Sequence, residues 1–188
     1  MKQGTVRIIA GQWRGRRLKV PDEQHLRPTP DRVRETLFNW LSPYIAGARC
    51  LDLFAGSGVL GFEALSRGAA AAVLVDESLV VVELLQEQLA LFKASNGEVC
   101  RASIPQQLKL SALPFDVVFL DPPYQSGLLL PTCHYLEEQG FLADGALLYL
   151  EASEAIHQHD LPTGWQIIKS ARAGQVAFHL VKREINQT

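Results

Sequence analysis

Between Arg49 and Glu151 the chain alternates short apolar runs with longer stretches whose apolar residues recur at helical spacing. The runs Arg49–Phe54, Ala71–Val75, Glu98–Arg101, Phe115–Leu120 and Ala146–Glu151 suit strands, several of them apolar enough to be buried on both faces. Helices are predicted between several of them, near Gly58–Arg67, Leu79–Ala94 and Leu128–Gln139, with a shorter one at Gln106–Leu110. Strands and helices in alternation make βα units, so the expected fold is α/β around a mostly parallel sheet. The end of the chain differs. Trp165–Ala171 and Val176–Arg183 flank Arg172-Ala173-Gly174-Gln175 and read as an antiparallel hairpin joined to the sheet edge.

The chain before Arg49 follows another pattern. Thr5–Ala10 and Arg16–Val20 are strand-like, and Gly11–Gly15 can close them into a hairpin that Pro21 ends. In Arg27-Pro28-Thr29-Pro30-Asp31, Thr29 suits an N-cap, Pro30 the first helical turn and Asp31 the positive end of the helix dipole. The helix runs to about Leu41 on Val33, Leu37, Trp40 and Leu41, with Arg32 and Glu35 on other faces, and Ser42-Pro43 stops it. Two parts are therefore expected: a basic extension over residues 1–43 and a sheet domain over residues 44–188.

Composition narrows the function classes. With 47% apolar and 20% charged residues the chain suits a soluble globular protein, and no window approaches the ~18 consecutive apolar residues of a membrane span. Met1-Lys2-Gln3-Gly4 leads into no apolar h-region, so a cytoplasmic location is expected; a monomer is expected as well. Cys50, Cys100 and Cys133 are odd in number and widely spaced in apolar surroundings, which suits small buried hydrophobes. His157 and His159 lie in a polar stretch with no third ligand nearby, so they read as solvated surface and no metal site is expected. The net charge of −2 conceals an asymmetry, because Met1–Arg34 carries +6 and the remainder −8. Clustered positive charge on an acidic body is the footprint of phosphate binding. The candidates for phosphate contact are Arg7, Arg14, Arg16, Arg17, Lys19, Arg27, Arg32 and Arg34. Strand alternation would place Arg14 and Arg16 on one face and Arg17 on the other. Trp13 among them is placed either to stack on a base or to pack the hairpin onto the domain.

Two motifs carry chemistry. Asp121-Pro122-Pro123-Tyr124 follows the strand Phe115–Leu120, and its two prolines make a stiff bracket that cannot continue a sheet ladder. The bracket holds the Asp121 carboxylate, the Pro122 carbonyl and the Tyr124 ring together, and two acceptors beside an aromatic plane suit a planar base with an exocyclic amine. Only the ring of Tyr124 is needed for stacking, so Tyr124→Phe is expected to be mild. The second motif, Asp52–Gly61, contains Gly56-x-Gly58-x-x-Gly61 and opens a helix; Asp76, at the end of the next strand, is placed to accept the two hydroxyls of a ribose. This pattern fits both a dinucleotide and S-adenosylmethionine. Asp52 before the glycines suits an ammonium better than a pyrophosphate, about fifty residues precede the first sheet strand, and Asp121–Tyr124 adds a base-amine site, which together favour S-adenosylmethionine over NAD.

The segment Leu26–Leu41, the run Asp52–Gly61 and Asp121–Tyr124, with Arg7–Gly11 and Ala173–Ala177, closely resemble the bacterial RsmD family of 16S ribosomal RNA guanine-N2 methyltransferases over nearly the whole chain. The resemblance implies a Rossmann-like class I methyltransferase fold, with a mostly parallel seven-stranded sheet and an antiparallel last strand. It implies S-adenosylmethionine as donor and a 16S ribosomal RNA guanine, in the assembled small subunit, as acceptor. Asp121, Pro122 and Tyr124 would then be catalytic. Asp52, Phe54, Ala55, Gly56, Gly58, Asp76, Glu77, Ala102, Ser103 and Asp121 would face the cofactor, and the basic residues named above the RNA. Many such enzymes place an acid or amide after the third strand to read adenine; this chain has Arg101-Ala102-Ser103, which leaves backbone groups near Ala102 for that task.

Overall fold

Residues 4–21, 29–110 and 113–184 are described by a computed structural model; Arg27, among the residues singled out above, lies outside them. Strands β1 (Thr5–Arg7) and β2 (Arg17–Lys19) pair as an antiparallel ribbon, and α1 (Asp31–Leu41) follows. The remainder runs β3 (Arg49–Leu53), α2 (Val59–Ser66), β4 (Ala71–Asp76), α3 (Leu79–Phe92), β5 (Gly97–Arg101), β6 (Phe115–Leu120), α4 (Leu129–Glu138), β7 (Leu142–Ala152), β8 (Trp165–Ala173) and β9 (Val176–Arg183). Seven strands form one sheet in the order β5-β4-β3-β6-β7-β9-β8. Strands β3 to β7 are mutually parallel, and β9 runs antiparallel to both its neighbours. The last strand in sequence is thus inserted inside the sheet, and β8 forms the edge. This is a mostly parallel, Rossmann-like seven-stranded sheet with its last strand antiparallel, as expected. Strand order reverses between β3 and β6, so the C-terminal ends of the parallel strands flank a crevice, where ligands bind in open α/β sheets.

Two expected elements differ. Gln106–Leu110 forms no helix; Ile104–Gln107 is a turn, and Ile104 and Leu108 pack onto the sheet. So short a segment gains too few hydrogen bonds to offset helix nucleation. Thr29 does not cap α1, because Pro30 occupies the cap position and no side chain bonds there.

The basic extension and the sheet share one core. Ile8 and Leu18 of the extension and Leu37, Phe38 and Leu41 of α1 are buried in the same cluster as Phe62, Phe119 and Phe178. Trp40 meets Phe178 of β9 with ring centroids 5.5 Å apart. Helix α2 is buried on every face, including Glu63 and Ser66, whereas a helix on a bare sheet would expose its outer side. The extension supplies the missing cover. Ile9 and Ala10 donate their backbone N–H groups to Glu63 at 2.8 and 3.0 Å. Gln12 N–H reaches the Ser66 carbonyl at 2.8 Å, and Trp13 N–H reaches the Ser66 hydroxyl at 3.0 Å. The approach is so close that a Cβ at Gly11, whose φ is +82°, would lie 1.9 Å from the Ser66 oxygen. Of the two roles open to Trp13, the structure has packing: the ring is buried edge-on against Phe92 at 5.2 Å.

Arg34 is corrected here. It is fully buried, donating to the carbonyls of Thr29 (3.1 Å) and Arg7 (2.9 Å) and pairing with Asp31 and, at 3.5 Å, with Glu63. A cation so enclosed cannot meet a phosphate; it ties ribbon, α1 and α2 together. Cys50 and Cys133 are buried and Cys100 partly so, all as free thiols. His157 and His159 are exposed and stacked on each other. Among the described residues no helix is long and apolar enough to cross a membrane.

Candidate active site

Strand β3 delivers Asp52, buried, to the floor of the crevice, and its Oδ2 accepts the Gly61 N–H at 2.8 Å. Between them Phe54, Gly56 and Gly58 all adopt positive φ, the tight path that lets the chain turn from strand into α2. Gly58 is required twice over: its φ is +72°, and a Cβ would meet Leu85 of α3 at 2.4 Å. Asp76, ending β4, accepts from Gly56 N–H through Oδ2 and from Ser78 N–H through Oδ1, each at 3.0 Å. The loop is thereby strapped to the neighbouring strand. Ala55 is buried and Phe54 half-buried in it, and Ala55 N–H meets the Val75 carbonyl at 3.0 Å. On the far side Glu77 is exposed, and Ala102 donates its N–H to the Asp76 carbonyl at 3.1 Å, with Ser103 half-buried after it. The Arg101 side chain folds back to the Glu77 carbonyl at 3.0 Å.

Strand β6 carries the second motif to the same crevice. Leu53 pairs with Leu120 and Leu120 with Leu150, so Asp121 emerges between the ends of β3 and β7, one step along from the residue pair that precedes Glu151. Pro122 is buried, Pro123 and Tyr124 are exposed, and Ser126 N–H closes a turn onto the Pro123 carbonyl at 2.9 Å. The Tyr124 ring is 50% exposed, yet its hydroxyl points inward and donates to Glu151 Oε1 at 2.7 Å. Tyr149 donates to the other oxygen, Oε2, at 2.6 Å. The Tyr124 hydroxyl is thus engaged, contrary to the expectation that only the ring matters. Glu151 itself escaped sequence reasoning, because it ends an apolar strand and its partner lies far away in the chain; a buried acid one register step beside Asp121 was the available signal.

Burial raises the Asp52 carboxyl to about 8, with Asp76 adding to the rise and the Gly61 hydrogen bond opposing it. Burial likewise pushes Asp121 well above the ordinary carboxylate range; Glu151 and Asp52 push it further, and a hydrogen bond from the Thr29 side chain pulls it back. Thr29, expected to cap α1, instead serves Asp121. A positive ligand would favour the carboxylate forms of these acids, whereas a pyrophosphate would find no cation among them to pair with. The arrangement fits a ligand with a positive centre and a ribose, held between Asp52, Asp76 and the glycine loop, with an amine at Asp121.

The basic residues of the extension divide. Arg14 lies exposed in a turn, Arg17 and Lys19 share the exposed face of β2, and Arg32 is exposed on α1. Arg16 precedes β2, with its guanidinium 3.7 Å over the Phe92 ring and bonded to the Leu91 carbonyl at 3.2 Å. Arg7 approaches Asp31 at 3.8 Å. The alternation expected for Arg14, Arg16 and Arg17 therefore fails, since Arg14 is not in the strand and Arg16 is pinned to an aromatic.

A family described as conserved hypothetical protein 95 matches residues 6–182. The chain is 50% identical to ribosomal RNA small subunit methyltransferase D of Escherichia coli strain K12 over 181 residues, covering 96% of this chain and 91% of that protein. It is 43% identical to the protein of the same name from Haemophilus influenzae, covering 95% and 94% of the two chains. Among solved structures, the yhhF protein of Escherichia coli superposes with a TM-score of 0.88 at 49% identity, covering 97% of this chain and all of that one. An RNA methyltransferase from Salinibacter ruber, in complex with S-adenosyl-L-homocysteine, shares the fold with a TM-score of 0.65 at 15% identity.

Proposed function

The chain belongs to the RsmD family of ribosomal RNA methyltransferases, and from that premise we propose that it transfers a methyl group from S-adenosylmethionine to the exocyclic N2 of a guanine in 16S ribosomal RNA. The observation that carries this reading is the meeting of Asp121-Pro122-Pro123-Tyr124 with Asp52, Asp76 and the glycine loop in one acidic crevice. Asp76 holds the ribose hydroxyls of the donor, and Asp52 lies toward its ammonium; Phe54, Ala55, Gly56 and Gly58 shape the wall, with Glu77, Ala102 and Ser103 on the adenine side. S-adenosylmethionine, when bound, supplies an electrophilic methyl group.

The protein's share of the chemistry is alignment and desolvation. Guanine N2 is a weak nucleophile because its lone pair is delocalised into the ring. Asp121 and the Pro122 carbonyl accept its two N–H hydrogens and draw the nitrogen toward a pyramidal geometry, while the Tyr124 ring stacks on the base. A paired or stacked guanine cannot present N2 in this way, so the nucleotide is extruded, at a cost of a few kcal/mol. Arg7, Arg14, Arg17, Lys19 and Arg32 form the phosphate-facing surface, with Arg16 at its border. The enzyme acts as a monomer in the cytoplasm, on the assembled small subunit.

Small subunits from a strain lacking the enzyme, and the naked RNA from them, are incubated with the protein and methyl-labelled S-adenosylmethionine, then digested to nucleosides. N2-methylguanosine from the intact subunits is the expected product. N6-methyladenosine would reassign the base, and label only in naked RNA would reassign the substrate.

A further inference from the structure

The Pro122-Pro123 bracket fixes the Cα of Tyr124, but it leaves a half-exposed ring free to turn about χ1. A second point of attachment lies at the far end of the ring, where the hydroxyl meets Glu151 Oε1 at 2.7 Å. Glu151 is itself held at both carboxylate oxygens. It is buried near the end of β7, and its Oε2 receives the Tyr149 hydroxyl at 2.6 Å from two residues earlier on the same face of the strand. Tyr149 is wholly enclosed beside Phe178, with ring centroids 6.2 Å apart. A continuous line therefore runs from the rigid sheet through Tyr149 and Glu151 to the one exposed ring of the acceptor motif.

We propose that Glu151 is a positioning residue for the methyl transfer, tethering the Tyr124 hydroxyl so that the ring axis is set before the base arrives. This rests on the functional reading above and adds to it a carboxylate that touches neither donor nor base. A stacking platform already in place aligns N2 with the methyl group without ordering a side chain during the reaction. A mere structural bond at this place would satisfy a buried acid and leave turnover alone.

The test uses Tyr124→Phe, which keeps the stacking surface, and Glu151→Leu, which fills the space but offers no acceptor. At saturating RNA each should lose about tenfold or more in kcat, with S-adenosylmethionine affinity unchanged, and the double variant should be no worse than the poorer single one. Parental kcat in Tyr124→Phe, or losses that multiply in the double variant, overturns the tether. A second readout needs neither RNA nor activity: fluorotyrosine placed at Tyr124 should give a shifted ¹⁹F resonance that collapses toward the free-tyrosine position in Glu151→Leu. A resonance unmoved by that substitution overturns the tether by itself. A parental protein that transfers no methyl group to RNA would instead count against the functional reading, while the resonance still decides the tether.

Discussion

Asp52 carries a proton at neutral pH because burial lifts its carboxyl to about 8, whereas an unfolded aspartate titrates near ~3.9. The folded group binds a proton that the unfolded chain has lost, so its contribution to stability is full below about pH 4 and disappears as pH rises through about 8. A positive ligand reverses the balance by favouring the carboxylate. Binding of S-adenosylmethionine at pH 7 should therefore release up to about one proton, read as a dependence of calorimetric enthalpy on the buffer's ionisation heat. Asp52→Asn should remove that share, and an enthalpy indifferent to buffer in the parental protein would take Asp52 out of the cofactor's reach. Asp76→Ala should weaken the same binding by roughly ten- to 150-fold, as loss of a charged hydrogen-bond acceptor implies; an unchanged affinity would clear Asp76 of the role. The places of Asp52 and Asp76 beside the glycine loop were legible in the sequence because each follows from distance along the chain to that loop. Glu151 and Thr29 were not, since their partners are set by strand register and by the docking of the extension, neither of which local spacing encodes.

The extension and α2 are halves of one device. Its buried cation, Arg34, faces Glu63 at 3.5 Å, and Arg67 closes the other side of that carboxylate at 2.8 Å. Arg34→Met should cost about 3–5 kcal/mol in thermal or denaturant unfolding, because Glu63 would lose a partner inside the protein. Arg14→Ala, Arg17→Ala and Lys19→Ala should leave stability within about 0.5 kcal/mol. Each should also reduce the slope of log affinity against log salt for RNA by about 0.7–0.9. Parental slopes in all three would make the ribbon a structural cover and move RNA recognition elsewhere. Sequence reading grouped these arginines by charge. The distinguishing signal was periodic, because Arg34 falls on the stripe of Leu37, Phe38 and Leu41 that α1 turns toward the core. Likewise the uniformly buried positions of α2 announce a helix covered on both sides.

For the whole molecule, the inner parallel strands β3, β4, β6 and β7 were readable because burial on both faces leaves an apolar run that little else imitates, whereas β5 lies at the edge and is only partly buried. The final hairpin was readable as a hairpin, but its threading was not: placing β9 between β7 and β8 is a choice among edges of the sheet. That choice brings Phe178 against both Trp40 and Tyr149. Helix α1 and strand β9, far apart along the chain, thus complete each other's packing, and this matters while the chain is being made. The ribbon and α1 leave the ribosome early, with Trp40 bare until β9 follows. Synthesis stalled before Val176 should yield a nascent chain that is readily proteolysed and held by chaperones. An enzyme that modifies ribosomal RNA would then reach its protected form only after the ribosome making it has passed Val176 and completed β9.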